Sequence, residues 1–329
     1  MLPDGRRLGA HLPLGGGMVA AVDRAQAIGL DTLQIFSDNP TAWRRRSEPP
    51  PELPAFRARI AEAGLGPIAI HAPYLVNLAG PDDAFHVKSI DILRHELTIA
   101  PTFGARFVNA HIGSHKGSGL EFGIQRIAAG IATALADVPD EPAAAILVLE
   151  NSAGGGGGIG LDVAEIQALL AAIEAHGVPS SRVAICLDTA HLWGAGQPID
   201  TAAGVDRLVA DFGAQIGLER LAMIHLNDSK AELGSRMDRH EHLGAGSIGA
   251  AGLRRILTHP DLRHVTYYLE TPGMDVGYDA VNAERARDLV AGRPLAVLPP
   301  EAMNLPGSRA RTGPSVEPAA EAAASEPAG

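Results

Sequence analysis

Residues 183–191 read VAICLDTAH: an apolar run without alternation, then Asp188, then His191 three residues on. Continuous apolar runs of this length suit a strand buried on both faces, as in a parallel sheet covered by helices. Working outward, the same figure recurs. Upstream stand RLGAHL (7–12), TLQIF (32–36), PIAIHAPY (67–74), RFVNAHIG (106–113) and AILVLEN (145–151). Downstream stand LAMIHLND (221–228) and TYYLET (266–271).

Between the runs lie helical segments such as MVAAVDRAQAIGL (18–30), LPAFRARIAEAGL (53–65) and HVKSIDILRHELTIAPTFGA (86–105). In LDVAEIQALLAAIEAHG (161–177), Val163, Ile166, Leu169, Leu170 and Ile173 fall at helical spacing behind Asp162 near its start. Eight strands alternating with helices predict a (β/α)₈ barrel, whose active site lies at the C-terminal ends of the strands. A doubly wound open sheet is the alternative, but no glycine-rich phosphate loop follows the first strand. The domain is expected over residues 1–294. From 295 to 329 Pro, Ala, Ser and Glu dominate, and the composition reads as a disordered tail.

The chain has 329 residues, 46% hydrophobic and 20% charged, the balance of a soluble globular protein. One cysteine, Cys186, leaves no intrachain disulfide and fits a reducing compartment. No apolar targeting segment or membrane-length run occurs, so a cytoplasmic protein is expected. A net charge of −11 argues against non-specific wrapping of nucleic acid but leaves room for a local basic groove.

His11, His71, His111, Glu150, Asp188, His225 and Glu270 each end one of the apolar runs. In a barrel these ends meet at one rim. Burying so many uncompensated polar groups together would be prohibitive, and metal ions resolve the problem. Imidazoles and carboxylates without a thiolate cluster suit zinc, with manganese or iron next, better than magnesium or calcium. The loop MDRHEHLGAG (237–246) adds Asp238 and His240, two apart and able to chelate one ion from an extended segment.

The runs HAPYLVNLAG, NAHIGSH, LENSAGGGGGIG, CLDTAHLWGAG, HLNDSKAELGSRMDRHEHLGAG and YLET, in that order, closely resemble the endonuclease IV family of apurinic/apyrimidinic endonucleases. The resemblance implies a barrel with three zinc ions. It assigns one to His71, His111 and Glu150, and a second to Glu150, Asp188, His225 and Glu270. The third falls to His191, Asp238 and His240. It also places Tyr74 and Asn77 against DNA. With Asp238 and His240 assigned to metal, the intervening Arg239 is free to meet phosphate. The implied activity is hydrolysis of the phosphodiester 5′ to an abasic site, leaving a 3′-hydroxyl and a 5′-deoxyribose phosphate. Trimming of blocked 3′ ends, duplex DNA as partner and a monomeric enzyme come with it. Glu150 and Glu270 are the expected catalytic residues, through metal bridging and proton handling.

This sequence departs from the family in SDNPTAWRRR (37–46), where Thr41 stands at the position of an arginine that probes the base stack. Arg44, Arg45 and Arg46 follow Trp43, for phosphate contact or as a solvated turn. The pentaglycine Gly154–Gly158 replaces a more polar loop and is expected to loosen the backbone. His115 and His242 are expected beside the ligands or on the surface. His86, His95, His176, His259 and His264 read as surface, and Cys186 as core. The rival reading is a metal-dependent sugar isomerase or epimerase, for which Glu150, Asp188, His225 and Glu270 alone would serve. A non-catalytic metal-dependent DNA-binding module is the third.

Overall fold

A computed structural model describes residues 2–305. Ten strands occur among them: β1 Leu8–His11, β2 Thr32–Ile35, β3 Ile68–His71, β4 Ala105–His111, β5 Ile146–Glu150, β6 Val183–Asp188, β7 Leu221–His225, β8 Asp228–Ser229, β9 His240–Glu241 and β10 Thr266–Leu269. All but β8 and β9 close into a parallel barrel in the order β1-β10-β7-β6-β5-β4-β3-β2. The helices are α1 Met18–Ala27, α2 Leu53–Ala63, α3 Asp83–Phe103, α4 Leu120–Ala136, α5 Val163–Ala175, α6 Thr189–Gly194, α7 Ala202–Gln215, α8 Gly249–Thr258 and α9 Tyr278–Ala291. The architecture is the (β/α)₈ barrel expected from the βα rhythm.

The apolar runs give this fold because each strand must bury both of its faces. Inward, Ala69, Val148, Ala184, Cys186, Met223 and Tyr268 form a compact cluster inside the barrel. Outward, residues such as Leu33, Ile70, Leu147 and Ile185 join the larger core beneath the helices. Helix α5 follows its predicted stripe, with Val163, Ile166, Leu169, Leu170 and Ile173 buried and the Asp162 side chain capping Glu165 N. No helix among the described residues is long and apolar enough to cross a membrane.

Register sets the height of the functional side chains. His111 pairs with Glu150, and Asp188 with His225, so their strand ends reach one level. The short antiparallel pair β8–β9 sits beyond β7 and presents the 237–246 loop over the same rim. That loop is anchored rather than loose. The buried Asp228 carboxylate accepts backbone N–H groups of Gly244, Gly246, Ile248 and Gly249. A side chain at Gly246 would strike that carboxylate, so close approach requires the glycine there.

Residues 295–305, which composition assigned to the tail, run back along the barrel and include a 3₁₀ turn at Pro300–Asn304. Few large side chains were needed, because Leu295 packs on the core and Ala302 is fully buried. Residues 306–329 of the expected tail lie outside the described residues.

Candidate metal centre

Glu150 occupies the middle of the rim with no exposure. Its Oε2 lies 3.5 Å from His71 Nε2 and 3.7 Å from His111 Nε2. Its Oε1 lies 3.3 Å from His191 Nδ1 and 3.2 Å from His225 Nδ1. One carboxylate thus faces imidazoles through both oxygens, which suits a bridging position. His225 Nδ1 also lies 3.4 Å from Glu270 Oε2 and 4.0 Å from Asp188 Oδ2. Beyond Asp188, Asp238 stands 3.2 Å from His191 Nε2 and 3.1 Å from His240 Nε2. Asp188 Oδ2 reaches His240 Nε2 at 3.6 Å, so it lies between the second and third groups. All nine residues singled out in the sequence therefore converge.

The ring nitrogens that donate to fixed oxygens show what the arrangement is for; of these, His191 Nδ1 also passes Glu150 Oε1 at 3.3 Å. His71 Nδ1 donates to the Ala72 carbonyl at 2.6 Å, His191 Nδ1 to Asn151 O at 2.9 Å, and His240 Nδ1 to Glu270 O at 2.8 Å. His225 Nε2 donates to Gln34 Oε1 at 3.1 Å. Each acceptor is an oxygen without a proton, so the imidazole must carry hydrogen on that side. In neutral form it then offers a lone pair inward, as metal-binding histidines do. The carboxylates are held too. Asn227 Nδ2 donates to Asp188 Oδ2 at 2.7 Å, and Asp188 Oδ1 caps α6 at His191 N, 2.9 Å.

Several inward atoms have no hydrogen-bond partner although buried: Glu150 Oε1, His225 Nδ1 and His240 Nε2. Orphaned buried atoms of this kind are costly, and convergent ones call for a cation. The donor set fits divalent metal. Possible ligand atoms fall into His71–His111–Glu150, Glu150–Asp188–His225–Glu270 and Asp188–His191–His240. Glu150 and His225 also approach Cys186. Burial pushes that thiol up to about 12, so it stays protonated and is a poor ligand.

Electrostatics agree. Burial would raise the Glu150 carboxyl, but the imidazoles of His225 and His111 hold it well below its usual range. Burial would lower His191, but Asp188 and Asp238 carry it well above. His240 rises to about 10 because Asp188 and Asp238 outweigh its burial. Without metal, the cluster is a proton-binding ion network.

Other sequence candidates separate. Tyr74 is exposed over Phe36 and near His111, well placed to touch a ligand entering the rim. The Asn77 amide is spent within the protein: Nδ2 donates to Ser114 O, and Oδ1 accepts Ser114 N and Ala79 N. Its role is to lash two βα loops together. Arg239 Nε is buried without a hydrogen-bond partner beside Asp238. Arg45 faces the buried Glu96 at 3.6 Å and donates to Asn39 O, while Arg46 pairs with Asp38. Arg44 is exposed. It makes no hydrogen bond or ion pair among the described residues.

The pentaglycine is not loose. Ser114 bridges Gly158, His115 N donates to Gly157 O, and a side chain on Gly157 would strike the His115 ring. His115 accepts Gly117 N and Gly119 N as a loop brace. His259, expected on the surface, is buried where it caps a 3₁₀ turn at Asp261 N. His11, by contrast, meets Glu270 Oε1 at 3.0 Å.

Lys116 and Arg236, which the sequence reading passed over, line a cavity of 280 Å³ bounded also by Tyr74, His111, His191 and Asp238. Both adopt left-handed backbone, φ 51° and 58°. Non-glycine residues there are uncommon, and their clustering beside a site is a sign of function.

Fold and site together define the class described as Xylose isomerase-like TIM barrel, whose sequence profile matches residues 22–293. Within that class, the chain is 39% identical over 282 residues to a probable endonuclease 4 of Methanoculleus marisnigri, covering 86% of this chain and 98% of that protein. A crystal structure of endonuclease IV from Thermus thermophilus matches with TM-score 0.75 at 35% identity, over 87% of this chain and 99% of the other. The chain belongs to the endonuclease IV family. A D-tagatose 3-epimerase-like protein, at 15% identity and TM-score 0.61 over 87% and 96% of the two chains, shares the fold alone.

Proposed function

We propose that this protein is a zinc-dependent endonuclease of base-excision repair. It would hydrolyse the phosphodiester 5′ to abasic sites in duplex DNA, leaving 3′-hydroxyl and 5′-deoxyribose phosphate ends. Blocked 3′ ends would be trimmed at the same centre. The observation that carries this reading is the convergence of five imidazoles and four carboxylates, with the outer nitrogens of four imidazoles fixed on oxygen acceptors. An isomerase or epimerase centre on Glu150, Asp188, His225 and Glu270 has no use for the other five residues.

Three zinc ions would be held by His71, His111 and Glu150; by Glu150, Asp188, His225 and Glu270; and by His191, Asp238 and His240. When bound, they supply Lewis acidity toward the phosphate and lower the pKa of water to about 7. The protein's own residues do the rest. Glu270, held by Gln34 and His11, has one oxygen turned inward and is placed to orient the attacking water or take its proton. Lys116 and Arg236 add positive charge for a phosphate. Tyr74 offers a ring for a sugar, and the cavity of 280 Å³ receives an extruded residue. A nucleotide without its base costs less to extrude, which favours abasic sites. One chain supplies the whole cluster, so the enzyme would act as a monomer, and a cytoplasmic location is proposed with it.

The test is nicking of an abasic duplex against an intact one, before and after prolonged chelation, with metal content counted. Fewer than two tightly bound metals together with no nicking overturns the proposal. So does equal cleavage of both duplexes.

A further inference from the structure

The family profile ends at residue 293, and the chain continues past it. The segment that follows does not leave the barrel. Leu295 packs where any side chain at Gly244 would overlap it. Arg285 ties the two together, donating to Leu243 O through Nε and to Ala296 O through Nη1, each at 2.5 Å. The segment then crosses to bury Ala302, whose carbonyl accepts His242 Nε2 at 3.0 Å. On its other nitrogen His242 accepts from Asn282 Nδ2 at 2.8 Å, and Asn282 Oδ1 accepts Leu243 N at 3.0 Å. Finally Leu305 lies against Gly273, where a side chain would overlap it.

These contacts share a target. Leu243, Gly244 and His242 belong to the loop that carries Asp238 and His240. Gly273 belongs to the loop that begins at Glu270, whose carbonyl fixes His240. We infer that residues 295–305 are a strap that positions the outermost metal group, His191–Asp238–His240, by bracing two ligand loops from behind. Asp238 needs such bracing: its side chain is 55% exposed, and it lies on a loop outside the barrel strands. His242 is a positioning residue here, linking strap to clasp without touching metal.

The inference rests on the metal assignment above, and its test separates the two. In the full-length zinc-loaded protein, the double substitution Ala302→Glu with Leu305→Asp displaces the strap. On the same segment Val297→Asp is the control, since Val297 is 96% exposed. Zinc release to a chromogenic chelator is followed with time. The strap variant is expected to lose one ion about tenfold or more faster, with the others unchanged, as when an outer partner of a ligand is removed. Nicking lost by that variant returns on adding micromolar Zn²⁺, which a general packing lesion would not show. The Val297→Asp protein matches wild type. Identical release from strap variant and wild type overturns the inference while leaving the metal assignment standing. Uniform acceleration of all ions also overturns it. A wild-type protein that binds no zinc overturns both. If the double variant does not fold, Leu305→Ser alone is read by the same criteria.

Discussion

Gln34 donates from Nε2 to Glu270 Oε1 at 2.6 Å. Its other atom, Oε1, accepts from His225, so one amide on β2 orders two residues of the same metal group from across the barrel. Replacing Gln34 with Leu removes both contacts and leaves His225 free to present the wrong tautomer. Metal affinity at that group should fall about 10–100-fold, with kcat falling alongside. Equilibrium competition with a chelator measures it, and an unchanged affinity removes Gln34 from the site.

Glu270→Gln should retain metal and DNA binding but lose most turnover, because the amide cannot take a proton. Binding by fluorescence anisotropy and single-turnover nicking separate the two effects. Full activity in this variant would take Glu270 out of the mechanism.

The arginines of WRRR should behave differently although their chemistry is the same. Arg44→Ala should weaken DNA binding and reduce the slope of log affinity against log salt by about one, with Tm unchanged. Arg45→Ala should instead lower Tm, since it strips the charge partner from a buried carboxyl. A salt titration with thermal melts decides. The assignment fails if the two effects are exchanged.

Glu96 gives a stability signature. Burial pushes its carboxyl up to about 7, against hydrogen bonding by Ser37 and the charge of Arg45. A raised acid binds its proton more tightly folded than unfolded. Stability from this group is therefore full below the unfolded value near 4.5 and lost as pH rises through 7. The loss is at most about 3.5 kcal/mol at roughly 1.4 kcal/mol per unit. Urea unfolding at pH 5 and pH 8 should show Glu96→Gln with a flatter pH dependence than wild type. Parallel profiles would contradict the buried, proton-holding role.

Metal removal should also depend on pH. Without metal, His191 and His225 are held protonated above their ordinary range, and His240 up to about 10. Burial opposes this; Asp188 and Asp238 outweigh it at His191 and His240, and Cys186 with Glu150 and Glu270 outweighs it at His225. Raised histidines stabilise the metal-free fold at low pH and lose that contribution as pH rises through their folded values. Zinc needs the same nitrogens unprotonated, so its affinity moves the other way. The Tm difference between zinc-loaded and metal-free protein should therefore widen from pH 6 to pH 8. Calorimetry of both forms checks it, and a gap that narrows contradicts the ligand set.

The barrel was legible in the apolar runs, and six of the rim residues with it, because a strand that ends on His, Asp or Glu announces itself; His191, Asp238 and His240 lie outside the barrel strands and came from the LDTAH and MDRHEHLGAG motifs. What fixes those residues was not. The acceptors for His71, His191 and His240 are the main-chain carbonyls of Ala72, Asn151 and Glu270, and a carbonyl leaves no mark in a sequence. The bond from Asn77 to Ser114 was hidden for a related reason, since an amide near a site reads the same in sequence whatever its side chain meets. Arg44 and Arg45 are one letter repeated, and only the position of Glu96 distinguishes them. The strap escaped because Pro and Ala suggest a tail, whereas Leu295, Ala302 and Leu305 suffice to dock it.

Cys186 has a practical consequence. The chain's single thiol lies fully buried inside the barrel, with its proton retained to about pH 12. Toward maleimides and other thiol reagents the folded protein should be silent. A cysteine introduced at Val297 could then carry a fluorophore without background, turning the strap into an optical reporter of its own docking.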